Sequence, residues 1–216
     1  MASAVVQLQF YEDFLKEPYI NGKPKKKTPR KTANKLKRQR EYLTGEEIDA
    51  LKKAARSIGR YGLRDELIIS MMYHHGLRVS EAVKLQFHQV DFKTALLHVR
   101  RSKNGTPSTH PINGDDLRKI RQLRRANPHG SFIFSSMTGT ILTTRRVQAI
   151  IAEAGKKAGI GFPVSSHNIR HGTGYYLANK GTDTRTIQHY LGHRNIASTV
   201  VYTQLSSKKF IGLWDN

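Results

Sequence analysis

Ser166-His167-Asn168-Ile169-Arg170-His171-Gly172, Tyr190-Leu191-Gly192-His193 and Thr199-Val200-Val201-Tyr202-Thr203 decide how this chain is read. Ser165 or Ser166 caps a helix over 166–180, because a side-chain oxygen there accepts one of the helix's unpaired amides. On that helix His167 and Arg170 share one face at i and i+3, close enough to grip one phosphate together. Asp183 caps a helix over 184–191, and Gly192 breaks it and presents His193. Asn195 caps a last helix over 196–204, which carries Tyr202 nine positions after His193. A lone tyrosine in such a run is usually a packing residue.

Working outward, Gly76-Leu77-Arg78-Val79-Ser80-Glu81 has a related form. A glycine ends one helix, an arginine occupies the gap, and a carboxylate follows three residues on. Arg78 then stands at a helix N-terminus, where anions also bind. Read alone, Arg78 and Glu81 make an ordinary ion pair. Upstream, Thr44 and Glu47 fit a capping box. Ile48, Leu51, Ala55 and Ile58 recur at helical spacing, and an apolar helix over 64–74 is closed by Gly76. A short helix begins at Ser80 or Glu81. Residues 85–101 read as two strands with a turn near Lys93 and Thr94, and 109–112 as a third strand after the turn SKNGTPS. Asn113 caps a helix over 115–126. Val147, Ile150, Ile151, Ala154 and Ala158 mark another over 143–158. The fold class is mainly α with a small antiparallel β-sheet, an α+β arrangement.

Two domains are expected, 1–40 and 41–216. The first holds an apolar-periodic piece around Phe10, Phe14 and Leu15. The basic, proline-interrupted run KPKKKTPRKTANKLKRQR over 23–40 follows. That run has little to bury and reads as a partly disordered linker or phosphate-binding arm. With 216 residues, 38% of them hydrophobic and 25% charged, the chain has the composition of a globular protein. No window approaches the roughly 18–20 apolar residues of a membrane span. The first residues are acidic near their apolar positions, which makes a poor secretory signal. The absence of cysteine removes disulfides and thiolate metal sites and fits a reducing compartment, so a cytoplasmic, nucleoid-associated location is expected. A net charge of +21 makes nucleic acid the default partner, ahead of a membrane surface.

His167/His171 and His189/His193 are both HxxxH pairs, a spacing that can bind zinc. Arg170 would place positive charge beside such a cation, Gly192 interrupts the second pair, and no further ligand completes a site. Structural hydrogen bonding is the better account of His171 and His189, and neither metal nor cofactor is expected. Two arginines, two histidines and a tyrosine on so basic a chain instead suit metal-free phosphoryl transfer. Arginine forks match the nonbridging oxygens that gain charge in the transition state.

The segments GLRVSE, HNIRHG and LGHRN and the spaced Tyr202 resemble the tyrosine recombinase (phage integrase) family, over about Tyr42 to the C-terminus. The resemblance implies that family's catalytic-domain fold, with Arg78 and Arg170 as catalytic arginines. His167 opens its His-x-x-Arg element, His193 is the second histidine and Tyr202 the nucleophile. Glu81 matches a supporting acidic position. The family's strand-turn lysine falls on Lys103 in Arg100-Arg101-Ser102-Lys103-Asn104-Gly105. Gly181-Thr182-Asp183-Thr184-Arg185 through LGHRN, with the ending Phe210-Ile211-Gly212-Leu213-Trp214-Asp215, is similar to the short recombinases that invert fimbrial promoter switches. Those chains also lack the large N-terminal DNA-clamping domain.

The resemblance implies a 3′-phosphotyrosyl intermediate, Lys103 as general acid and no requirement for ATP. It also implies double-stranded DNA with inverted-repeat sites as partner, a homotetramer on that DNA and DNA-bending accessory proteins. A promoter-inverting phase-variation switch is the expected function. The alternatives are an integrase or resolvase with the same chemistry, a non-catalytic DNA-binding regulator with the same fold, and a metal-dependent nuclease.

Overall fold

The computed structural model describes residues 19–20, 23–24, 41–102, 105–136 and 138–203. The chain divides into two units, Met1–Gln39 and Arg40–Asn216. In the first, strands β1 (Tyr19–Ile20) and β2 (Lys23–Pro24) pair antiparallel, Tyr19 opposite Pro24. The expected piece around Phe10, Phe14 and Leu15, and the basic run beyond Pro24, lie outside the described residues.

The second unit is mainly helical. Among the described residues its helices are α1 (Gly45–Arg56), α2 (Gly62–His74), α3 (Val79–Ala82), α4 (Gly114–Ala126), α5 (Thr144–Lys157), α6 (Ser166–Asn179), α7 (Thr184–Leu191) and α8 (Ala197–Thr203). Helix α2 is the centre. Every residue from 67 to 73 is buried, a helix apolar on all sides that must be enclosed. Helices α1, α4 and α6 pack against it, α5 closes on α1, and α7 and α8 pack on α6.

Capping residues set most boundaries. Thr44 Oγ1 accepts from the Glu47 amide at 3.3 Å and Glu47 returns the bond to the Thr44 amide at 2.9 Å, completing the capping box. Asn113, Thr143 and Asp183 cap α4, α5 and α7 through side-chain oxygens. At α6 the Asn168 carboxamide caps the backbone of Ser165. Helix α2 begins two residues earlier than the sequence suggests. Helix α3 begins at Val79, one residue early, because the Glu81 carboxylate caps the Arg78 amide at 3.0 Å.

The sheet holds β3 (Val90–Asp91), β4 (Leu96–Val99) and β5 (Ser108–Pro111), antiparallel in that order, with Leu97 opposite His110. The expected strand pair over 85–101 is shorter than the sequence suggests. Asp91 Oδ1 accepts from the amides of Lys93 and Thr94, which ends β3 after two residues. Residues 87–89 form a 3-10 turn instead of strand, and Gln86 bridges to Phe132, a pairing with no local sequence signal.

Candidate active site

Two helix ends meet beside the sheet. Helix α2 stops before Gly76 (φ +55°) and α7 before Gly192 (φ +64°), left-handed positions that suit glycine. A helix leaves its last carbonyls without intrahelical partners and partially negative. Here those carbonyls face two buried guanidinium groups. Arg170, on α6, donates to the carbonyls of Gly76 and, at 2.7 Å, Leu191. Arg101, just past β4, donates to the carbonyls of His75 at 3.1 Å, Gly76 at 3.3 Å and Tyr190. A Cβ on Gly192 would stand 2.6 Å from Arg101 Cγ, so the loop has room for glycine alone.

Glu81 ties this cradle to Arg78. Its carboxylate accepts from Arg78 Nη1 at 2.8 Å, Arg101 Nη1 at 3.1 Å, and the amide and hydroxyl of Ser102, each at 3.0 Å. Burial opposes its ionisation, but the amides of Arg78 and Ser102 and the nearby guanidiniums outweigh that and hold it down at about 2. The Arg78–Glu81 ion pair read from the sequence is therefore one edge of a larger network. Burial, with Arg78 and Arg101 adding to it, lowers Arg170 to about 9, still protonated at neutral pH. Arg78 remains 27% exposed, able to meet an incoming anion.

Helix α8 brings Tyr202 to the same region. Its ring is buried in a small apolar cluster with Ala178, Ile187 and Leu191. A Cβ on Gly174 would come within 2.7 Å of it. Tyr175 and His171 meet the ring edge-on at 5.3 and 5.6 Å, and His193 stacks on it at 6.3 Å. The hydroxyl is bonded to His171 Nδ1 at 3.0 Å. Burial raises the Tyr202 pKa, while Arg170 and Arg78 pull it back. His193 Nδ1 is held by Thr199 Oγ1 at 2.8 Å, which orients the ring and leaves Nε2 available. Burial and the three arginines push His193 down to about 4.

Of the residues singled out in the sequence, Arg78, Glu81, Arg170, His193 and Tyr202 come together. His167 lies one turn before Arg170 on α6 and is exposed. Lys103 lies outside the described residues. Its neighbours are placed: Ser102 is bonded to Glu81, and a Cβ on Gly105 would sit 2.8 Å from the Gly192 carbonyl. Two members of the site were not legible. Arg101 appears in the sequence only as part of the turn that carries Lys103, with no role of its own. His171 makes the hydrogen bonding expected for it, but its partner, the Tyr202 hydroxyl, had no signal in the sequence. The His189 side chain is exposed and makes no hydrogen bond among the described residues, which corrects the structural role expected for it. No group of three or more metal-ligating side chains occurs among the described residues. No helix among them is long and apolar enough to cross a membrane.

The sequence signature of the Phage integrase family matches residues 41–209. The chain belongs to the phage integrase family, the tyrosine recombinases. The recombinase is 39% identical to the type 1 fimbriae regulatory protein FimE of Escherichia coli K12, over 82% of this chain and 92% of that one. With the type 1 fimbriae regulatory protein FimB of the same strain the identity is 36%, over 82% and 91%. Among solved structures, the XerA recombinase superposes with a TM-score of 0.68 at 27% identity, covering 79% of this chain and 62% of that one. The XerH recombinase bound to its difH substrate gives 0.67 at 16% identity and supports the fold alone, with 82% and 53% covered. The recombinase thus spans little more than half to about three-fifths of these two solved chains.

Proposed function

We propose that the recombinase cleaves and rejoins double-stranded DNA through a temporary 3′-phosphotyrosyl bond to Tyr202, and that it inverts a short promoter-bearing segment. The observation carrying the chemistry is the convergence of the Tyr202 ring with His193, Arg170 and Arg78. A phosphate seated against Arg78 would meet preformed positive charge where the transition state gains negative charge, with little reorganisation needed. Arg78 and Arg170 stabilise the nonbridging oxygens, His167 and His193 assist from either side, and Glu81 fixes Arg78. Lys103, which follows the Glu81-bonded Ser102, protonates the departing 5′ oxygen. The phosphodiester energy is kept in the tyrosyl ester, and a second 5′-hydroxyl reverses the step.

Two observations favour inversion over integration or resolution. The relatives at 39% and 36% identity are named as fimbriae regulatory proteins, and the alignments span nearly their whole length. Two inverted-repeat sites, four protomers and DNA-bending accessory proteins complete the proposed assembly, and the net charge of +21 supplies sequence-independent affinity.

The test is a nicked suicide substrate carrying inverted repeats from beside the gene. An adduct surviving denaturant, absent in Tyr202→Phe, is expected. Lys103→Ala should lose adduct formation while binding the substrate as the parent does. Well-bound DNA with no adduct would favour the non-catalytic regulator. Reversal of the repeat-flanked segment in cells, read by orientation-specific amplification, separates inversion from excision.

A further inference from the structure

Tyr202 has to lose a proton to attack phosphorus, and burial makes that loss harder. The described residues around its hydroxyl differ sharply in whether they can accept it. Arg170 has its terminal nitrogens committed to the carbonyls of Gly76 and Leu191, and a guanidinium has no acceptor. His193 stacks on the phenol ring with an interplanar angle of 23° and has its Nδ1 on Thr199, and among the described residues it makes no hydrogen bond to the Tyr202 oxygen. His171 presents Nδ1 to the oxygen itself at 3.0 Å, its ring edge-on to the phenol.

We propose that His171 is a catalytic residue, the general base that takes the phenolic proton of Tyr202. This rests on the reading of Tyr202 as nucleophile. In cleavage the Tyr202 oxygen bonds to phosphorus and its proton passes to His171 Nδ1. The bond from phosphorus to the 5′ oxygen breaks, and that oxygen takes a proton from the general acid assigned to Lys103. In rejoining, the attacking 5′-hydroxyl gives its proton back to that acid. The imidazolium of His171 returns its own to the departing phenolate.

The surroundings keep the imidazole ready. Burial lowers its pKa from 6.5, His167 and Arg170 on its own helix push the same way, and Glu41 opposes them. His193, across the phenol, is also a positive neighbour when protonated. At neutral pH the ring is therefore uncharged and able to accept. Tyr190 provides an internal contrast. It too is buried near an arginine, but its hydroxyl donates to the His74 carbonyl at 2.6 Å, an oxygen that does not take a proton.

The experiment compares single-turnover cleavage by the full-length parent and His171→Asn on the nicked substrate, with binding measured in parallel. Asparagine accepts a hydrogen bond but does not take the proton. The rate is expected to fall about 10²–10⁴-fold at unchanged binding. The parent rate should decline with falling pH in a limb that lies below the ordinary imidazole range, as the lowered His171 pKa requires, and the variant should lack that limb. Placing 3,5-difluorotyrosine at 202, whose phenol ionises more readily, should recover much of the deficit. A His171→Asn rate within threefold of the parent, a faster rate, or a deficit that fluorination leaves unchanged would overturn the proposal. Tyr202→Phe keeps the two readings apart: an adduct in that variant overturns the nucleophile, whereas a role for Tyr202 without one for His171 overturns only the base.

Discussion

The arginine end of the site and the tyrosine end are held by different means. Arg101 and Arg170 are clamped by main-chain carbonyls at the ends of two helices, and Arg101, its side chain fully buried, is held by Glu81 as well. Tyr202 sits on a helix of seven residues whose main packing among the described residues is on α6 and α7, and Val201 beside it is 44% exposed. Main-chain acceptors do not change rotamer, so the charge is fixed before substrate arrives, as electrostatic stabilisation requires. Tyr202 depends on side-chain packing and one hydroxyl bond, so it is the more easily displaced part.

The comparison breaks most visibly at Arg101. Arg101→Met removes one partner of a buried carboxylate and the donor to three carbonyls. Removing one partner of a buried ion pair typically costs about 3–5 kcal/mol. Urea unfolding should show a loss of that size, and Arg101→Lys should recover only part of it, since an ammonium lacks the fork. A loss under about 1 kcal/mol would mean that Arg78 and Ser102 suffice to hold Glu81.

How legible each end was follows from the same contrast. Helix boundaries could be read because their signals are local: Thr44 with Glu47, Asn113, Asp183 and Gly192 act within a turn of where they stand. Gln86 opposite Phe132 could not, because the pairing is long-range and competes with the local turn at Asp91. Arg78, Arg170, His193 and Tyr202 were visible as spaced residue types. Arg101 was not, because its acceptors are mostly carbonyls, which every residue supplies. His171 was visible only as half of an HxxxH pair, since its partner lies 31 residues away.

Acid should weaken the arginine end in two stages. His75 is held at about 3 and His110 and His193 at about 4, burial being the leading cause for each. Below pH 6.5 the unfolded chain protonates these histidines while the folded chain keeps them neutral, so stability falls as pH falls. Glu81 adds a second stage. Its contribution is complete above its ordinary 4.5 and is lost as pH drops toward about 2. The urea midpoint should therefore decline below pH 6.5 and more steeply below 4.5. His75→Phe should flatten the upper part and Glu81→Gln the lower. A midpoint constant from pH 6.5 to 4.5 would show that these histidines are not held neutral.

The smallest effect on stability is expected at the tyrosine end, from Gly174→Ala. A methyl there meets Tyr202 Cε2 at 2.6 Å and Cδ2 and Cζ at 2.7 Å, so either the ring or α6 must give way. Two outcomes compete. If α8 is fixed as firmly as the cradle, overpacking should cost about 1–3 kcal/mol. If α8 yields, the cost is smaller, offset further by the helix preference for alanine over glycine, worth about 1 kcal/mol. The loosely held helix predicts the second: a stability change under about 1 kcal/mol, with the ring moved off its bond to His171. On the proposed role of Tyr202, adduct formation should then drop far more than stability, while DNA binding stays near the parent's. Hydrogen exchange over α8 gives the direct reading, with faster exchange in the variant confined to residues 197–203. Slowed adduct formation with unchanged exchange there would place the defect in the ring's position alone and would make α8 as rigid as the cradle it faces.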